Sequence, residues 1–319
     1  MSFDATLPLV MLAAYGICNV LLSAAVVIAW RAGLRARLAA ADAVLGVRLL
    51  PAAGSAALVL TVILPAFLLY EPRHAHDEPG PLLVISALFA LLLLADGIRR
   101  GWRARRATRA FLPNALPHLS LPGTQGTEVT VVNVAQPLVG VVGSWRQRII
   151  AARSVAAACD REEFRQVLAH EAAHMDARDN LKLLMLLAMP DPLAWLPTGS
   201  ALREHWRAAT ELEADERASG SDPRKRLALA SALIKVARLS IASSIAGSRP
   251  GNDGSRAAGA ESGGGLERRV RRLLAPAPAM YRSFPGRRLL TYALLVPLLA
   301  MPLYASVHRL IEVLVAFGR

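Results

Sequence analysis

The sequence predicts an α-helical membrane protein with four transmembrane helices and an inserted cytoplasmic α+β domain. Composition is the first reason: 54% of the 319 residues are hydrophobic, and the mean hydropathy of +0.37 is high for a soluble globule. The second reason is a set of long apolar runs, and the third is the distribution of arginines beside them. Cys18 and Cys159 lie in different segments, so they indicate neither a disulfide framework nor a cysteine metal site.

The apolar runs are long enough, or nearly so, to cross the hydrocarbon layer of a bilayer, which is about 30 Å thick. They cover residues 7–30, 49–70, 82–98 and 289–307. We therefore predict a three-helix transmembrane region over 1–98, and a fourth helix with a short outer tail over 281–319.

The charges between the runs predict their orientation, because cytoplasmic loops contain an excess of Lys and Arg. Acidic residues dominate the loop 71–80, whereas a dense basic run follows the third span: Arg99, Arg100, Arg103, Arg105, Arg106 and Arg109. In a bacterial inner membrane, this places the N-terminus outside the cytoplasm and residues 99–280 inside it. Orientation and contact with the lipid bilayer explain the net charge of +13. Nucleic acid is not an expected partner, since no recognition helix or aromatic platform accompanies the arginines.

The cytoplasmic domain is predicted to combine a small sheet with several helices. Short segments rich in Val and Ile predict strands over 128–134, 138–142 and 148–152. Helices are predicted over 160–178, 201–219, 227–246 and 266–274, with a disordered loop over 249–265. The apolar segment 181–196 is broken by prolines and is predicted to be buried or to rest on the membrane. A sheet edge beside a helix could bind an extended peptide or serve structural pairing alone, and both interpretations stay open.

A metal-binding pattern lies in the run His170-Glu171-Ala172-Ala173-His174. Residues four apart share one helical face, so both imidazoles can bind one metal ion. Glu171 follows the first histidine, where it can accept a proton from a water molecule at the metal. This H-E-x-x-H pattern requires a helix, and Asp160 with Glu163 predicts a capping box at its start. A surface helix with solvated charges is the alternative, but the apolar surroundings disfavour it.

Catalytic zinc sites usually have three protein ligands, so a third is expected downstream. Glu211 is the predicted ligand, because it lies four residues before a second acid, Asp215, on one helical face. Asp215 is predicted to accept the second N–H of a ligand histidine, or alternatively to pair with Arg217 or another arginine. Glu213 points elsewhere and ranks lower. His205 is a candidate donor to the oxyanion, with simple packing as the other interpretation.

The two metal motifs, HEAAHMDARDN and ELEAD, resemble those of BlaR/MecR-type membrane zinc metallopeptidases, which are gluzincins. The stretches QPLVGVVGSWRQRIIAARSV and LERRVRRLL also resemble segments of that family. Its members place an H-E-x-x-H domain in the cytoplasm between a third and a fourth transmembrane helix. The resemblance implies a Zn2+ cofactor, with His170, His174 and Glu211 as ligands and Glu171 as catalytic base. This chain differs in lacking the C-terminal penicillin-binding sensor domain and any S-x-x-K motif.

We therefore expect a membrane-embedded zinc endopeptidase that hydrolyses peptide bonds of a cytoplasmic protein in signal transduction. The substrate would be a transcriptional repressor or the chain itself, and a separate sensor protein or a homodimer would supply the signal. Two alternatives are kept. One is a quality-control peptidase of the HtpX/CAAX-processing kind, which shares both metal motifs, and the other is a non-catalytic membrane scaffold.

Overall fold

The computed structural model describes residues 3–70, 79–111, 129–134, 136–247 and 254–276, together with positions 306, 309 and 313. These residues are mostly helical and include one small sheet. The chain divides into two compact units. The first contains Met1–Arg103, Met185–His205 and Ser283–Arg319, and the second contains Ala104–Leu184 and Trp206–Arg282.

Three helical stretches of the described residues are long and apolar enough to cross a membrane, at Thr6–Arg37, Ala41–Tyr70 and Pro81–Thr108. Their helices are α1 (Phe3–Ala29), α2 (Arg35–Arg37), α3 (Ala41–Leu58), α4 (Leu64–Tyr70) and α5 (Pro81–Phe111), with π-helical turns at Trp30–Leu34 and Val59–Ile63. These stretches contain the first three predicted spans. The fourth predicted span, 289–307, lies almost wholly outside the described residues.

The segment Met185–His205 belongs to the unit that contains these apolar helices, whereas the sequence assigned all of 99–280 to the cytoplasmic domain. Tyr15 and Asn19 of α1 donate hydrogen bonds to the carbonyl of Pro190, at 3.1 and 2.8 Å. The guanidinium of Arg48 lies 2.6 Å from the carboxylate of Asp191, and both side chains are buried.

Proline explains why this segment needs such partners. α8 ends at Ala188, just before Pro190, and proline has no N–H to donate, so the last carbonyls of this segment have no donor within the helix. Arg100 of α5 supplies donors instead, to the carbonyls of Leu187 at 2.9 Å and Met189 at 2.8 Å. The apolar segment 181–196 is thus partly helical, and its carbonyls at Leu187, Met189 and Pro190 accept hydrogen bonds from α1 and α5.

The second unit contains a three-stranded sheet, as the sequence predicted. Its strands are β1 (Val129–Val132), β2 (Val139–Val142) and β3 (Arg148–Ala152), in the order β1-β3-β2. β3 lies in the middle, parallel to β1 and antiparallel to β2.

The remaining helices of the chain are α6 (Arg153–Ala158), α7 (Arg161–Asp176), α8 (Asp179–Ala188), α9 (Pro197–Ser219), α10 (Pro223–Gly247) and α11 (Gly254–Leu274), with a 3-10 turn at Pro192–Trp195.

The sheet packs one face on α7, the helix that contains the H-E-x-x-H run. Ile149 and Ala151 of β3 form a buried cluster with Leu168 of α7, and Val139 and Val141 of β2 pack against it. Alternation explains this arrangement, because residues two apart on a strand share one face. β2 is therefore held beside the metal-binding run.

α7 begins with the predicted capping box. The Asp160 carboxylate accepts the backbone N–H groups of Glu162 and Glu163, at 2.8 and 2.9 Å. The Glu163 carboxylate accepts the N–H of Asp160 at 2.8 Å. These bonds satisfy donors that have no partner within the helix, so the start of α7 is set by its own sequence.

α11 begins at Gly254 and includes the predicted basic helix 266–274, so a helix stands over 254–265 where a disordered loop was predicted over 249–265; residues 249–253 lie outside the described residues. The prediction weighed the glycines and serines of this stretch, whereas its alanines and Glu261 favour a helix. The buried guanidinium of Arg226 anchors the end of α11. It donates to the carbonyls of Arg272 at 2.6 Å and Leu273 at 3.0 Å, which lack helical partners.

Replacing Glu163 by glutamine is expected to lower the free energy of unfolding by about 1–3 kcal/mol at neutral pH, the net worth of hydrogen bonds to a charged group. The buried carboxylate of Glu163 accepts from Ser231 and Lys235 of α10, both at 2.6 Å. Burial raises the pKa of Glu163, but Lys235, Ser231 and the N–H of Asp160 outweigh it and hold the pKa below 4.5.

Because this folded-state pKa is depressed, the contribution of Glu163 is complete above about pH 4.5 and is lost as the pH falls through the folded value. Unfolding of the detergent-solubilised chain should therefore separate wild type from Glu163→Gln at neutral pH and not in acid. Glu162→Gln is the matched control, since the Glu162 side chain is 43% exposed and has no contact with Lys235 or Ser231; it accepts from Arg165 and Gln166 of its own helix. A difference between wild type and Glu163→Gln that persists unchanged in acid would contradict this assignment.

Candidate metal centre

His170, His174 and Glu211 converge in the second unit. The two histidines lie one turn apart on α7, and their Nε2 atoms are 3.2 Å from each other. Glu211 of α9 places Oε2 3.5 Å from Nε2 of His170 and Oε1 3.7 Å from Nε2 of His174. One ligand atom from each residue lies within 4.8 Å of the others, so the group could hold a metal ion.

Carboxylates lie behind both imidazoles. Nδ1 of His170 is 2.9 Å from the buried carboxylate of Asp215, and Nδ1 of His174 is 2.7 Å from that of Asp179. A carboxylate that accepts the Nδ1–H leaves the Nε2 lone pair free for a metal and fixes the plane of the ring. The contact of Asp215 was expected from the sequence. Asp179 was missed, because an acid five residues after His174 does not share its helical face.

The donor atoms of this group match those that zinc prefers. Two histidines and one carboxylate are a common ligand set of catalytic zinc sites, with Zn–N distances that put two tetrahedral donors about 3.3 Å apart. The Nε2 atoms of His170 and His174 are 3.2 Å apart, and the Glu211 oxygens lie only slightly farther from them. The residues present therefore fit a divalent ion such as zinc.

A comparison with known families decides the class of this site. The model of peptidase family M48 matches residues 114–277, which is slightly more than half of the chain. The chain belongs to peptidase family M48. Membership indicates a metallopeptidase, and it confirms the hydrolase class predicted from the sequence. It does not confirm the more specific resemblance to the BlaR/MecR type. No curated protein and no solved structure matches the chain.

Arg269 is a further residue of the M48 centre that the sequence did not reveal. It lies on α11, and its Nη1 is 2.7 Å from Oε2 of Glu211. Its Nε and Nη2 meet both oxygens of Asp215, at 2.8 and 2.7 Å. One guanidinium thus contacts Glu211 through one nitrogen and Asp215 in a bidentate arrangement. The basic run LERRVRRLL was noticed, but its spacing does not say which arginine faces the acids.

The charges of the M48 centre shift the pKa values of its groups. Burial opposes protonation of His170, but the carboxylates of Asp215 and Glu211 raise its pKa to about 9. Burial favours the neutral form of Glu211, but His170 and Arg269 lower its pKa to about 2. Burial raises the pKa of Glu171 above its ordinary 4.5. Glu211 is therefore anionic at neutral pH, whereas Glu171 is suited to hold a proton for part of a reaction.

An open cleft of about 510 Å³ gives access to the M48 centre. Glu171 lines this cleft together with His170, His174 and Glu211. Its walls are formed by β2 and by mainly apolar side chains of three helices, Leu183, Trp206, Leu229, Leu233 and Val236. A polypeptide segment entering the cleft would meet a strand edge, an apolar wall and the metal-binding group.

Two other candidate residues, His205 and Glu213, have side-chain partners of their own. Nε2 of His205 is 2.7 Å from the carbonyl of Leu38, and its ring packs edge-on against Trp30, all within the first unit. These contacts support its packing interpretation. Glu213 pairs with Arg217 at 2.9 Å, so Arg217 is not the partner of Asp215 that the sequence offered as an alternative; that partner is Arg269.

Proposed function

We propose that the protein is a membrane-embedded zinc endopeptidase that cleaves a cytoplasmic protein, either a transcriptional repressor or the chain itself, in signal transduction. The convergence of His170, His174 and Glu211 within 4.8 Å of one another is the observation that supports it best. Glu171 adjoins this group in sequence and lines the same cleft. Zinc is the proposed ion because imidazole and carboxylate donors at this spacing suit it.

The chain's own residues have separate roles in the proposed reaction. A bound zinc ion would polarise the scissile carbonyl and lower the pKa of a water molecule. Glu171 would accept a proton from the attacking water and return it to the leaving amine, a task that its raised pKa favours. Asp215 and Asp179 hold the imidazoles in orientation, and Arg269 holds Glu211 and Asp215 in place.

A cytoplasmic location beside a bilayer is supported by the surface of the first unit and by the charge pattern. Large apolar side chains are exposed on all three candidate spans, with Leu21, Leu60 and Ile85 each 63% exposed. Contact with lipid would account for that exposure. The arginine run that follows the third span favours a cytoplasmic position for the peptidase domain.

The first test is removal of the metal from the full-length protein in detergent. We expect about one zinc ion per chain, loss of β-casein cleavage on treatment with a chelator, and recovery when Zn2+ is added back. Metal content and cleavage rate should be measured on the same samples. Cleavage that persists after the metal content has fallen to near zero would sink the proposal.

A further inference from the structure

The backbone of β2 has one side paired with β3 and one side that faces the cleft. The carbonyl of Leu138 accepts the N–H of Ala152 at 2.6 Å. In an antiparallel ladder every second residue makes such a pair, and the residues between them direct their N–H and C=O groups outward. Gly140 and Val142 therefore pair with β3.

Val139 and Val141 are the residues whose backbone groups point away from β3. Their side chains pack towards α7, and the cleft that contains Glu171 is lined by both of them. Among the described residues no strand pairs with this side of β2, since the sheet order is β1-β3-β2. The outward groups therefore form a row to which an extended peptide could add as a further strand.

Asn180 bonds to one of these outward backbone groups, the carbonyl of Val141. Its Nδ2 donates to the carbonyl of Val141 at 2.8 Å and to that of Gly143 at 3.1 Å. Gly143 has a φ of 94°, a left-handed conformation that suits glycine and ends the strand. The N–H and C=O of Val139 and the N–H of Val141 stay directed into the cleft, whereas the carbonyl of Val141 is already bonded.

We propose that Asn180 is a specificity-determining residue of the cleft. Because Asn180 already donates to the carbonyl of Val141, that carbonyl is not left unsatisfied when the facing substrate residue has no N–H, and that residue can be proline or N-methylated. The substrate residue two positions away, whose N–H meets the carbonyl of Val139, must keep its donor. This inference rests on the proposed function, since it concerns how the endopeptidase holds an extended substrate.

The test uses a short peptide that spans a cleavage site mapped in β-casein, with each backbone nitrogen methylated in turn. For wild type, methylation should lower kcat/KM at the residue facing Val139 and not at the residue facing Val141. In Asn180→Ala the carbonyl of Val141 is released, so methylation at the second position should also lower kcat/KM. The expected loss is about two- to tenfold, the usual net contribution of one hydrogen bond.

Asn133→Ala is the matched control, because Asn133 is exposed and lies outside the cleft. It should keep the wild-type methylation profile. Metal content and thermal unfolding of Asn180→Ala show whether a change arises from damage to the neighbouring Asp179. An Asn180→Ala profile identical to that of wild type would overturn the inference.

The wild-type profile tests the inference without any variant. The inference would also be overturned if methylation lowered kcat/KM at both substrate residues, the one facing Val139 and the one facing Val141. If wild type does not cleave β-casein at all, or cleaves it without metal, the proposed function fails instead. The two failures are therefore distinguishable.

Discussion

Glu171→Gln is expected to reduce peptide cleavage by about 10²- to 10⁴-fold while the protein keeps its full metal content. Glutamine has nearly the same shape as glutamate but cannot accept a proton. Glu171 lies beside the ligand group without belonging to it, so its replacement removes no ligand. The measurement is kcat/KM for β-casein or a peptide derived from it, with metal per chain determined on the same preparation.

Glu162→Gln provides a control on the same helix, since Glu162 is exposed at the start of α7. It should cleave at the wild-type rate. Near-normal cleavage by Glu171→Gln would disprove the role of general base, and loss of metal would make Glu171 part of the binding group instead. In cells, uncut substrate should accumulate with Glu171→Gln. A single regulator would favour signalling, whereas many misfolded membrane proteins would favour quality control.

The part of the centre that the sequence predicts is the part that depends on local geometry. His170, Glu171 and His174 fall within slightly more than one helical turn, so spacing alone places them together. Glu211 and Asp215 share a face for the same reason, which predicts that one can bind while the other orients. No such rule brings α9 to α7. Their proximity was predicted only because a catalytic zinc site usually needs a third protein ligand.

Arg269 and Asp179 were not predicted because their roles depend on tertiary placement. Arg269 lies 54 residues beyond Asp215 in sequence, on a helix with several arginines. Asp179 reaches His174 only because the chain turns between α7 and α8, where Arg178 has a φ of 57°. A positive φ is uncommon for a residue other than glycine, and the sequence gives no sign of it.

The fold was predicted best where a sequence pattern has one physical interpretation. Alternating and β-branched residues gave the three strands, and the capping box gave the start of α7. Hydropathy does not reveal which partners the apolar segment 185–205 will find. Its partners follow from two polar groups. Asn19 donates to the carbonyl of Pro190, and Arg48 donates to the buried carboxylate of Asp191.

Glu211→Gln is expected to weaken metal binding more strongly than loss of any residue behind the ligands. The carboxylate oxygens of Glu211 lie 3.5 and 3.7 Å from the two histidine Nε2 atoms, so the variant replaces a charged donor by a neutral amide. Two histidines alone leave the ion one protein ligand short of a usual catalytic site. The measurement is the dissociation constant for Zn2+, obtained by competition with a chromogenic chelator at neutral pH.

Asp215→Asn is the comparison that gives this result its meaning. Asp215 contacts both His170 and Arg269 but offers no atom to the ligand group, and loss of such a partner usually costs about 10- to 100-fold in metal affinity. Both variants remove one negative charge from beside Arg269, so a general loss of charge would weaken them equally. A larger loss in Glu211→Gln identifies Glu211 as a ligand. An equal or smaller loss would show that Glu211 serves mainly to balance the charge of Arg269.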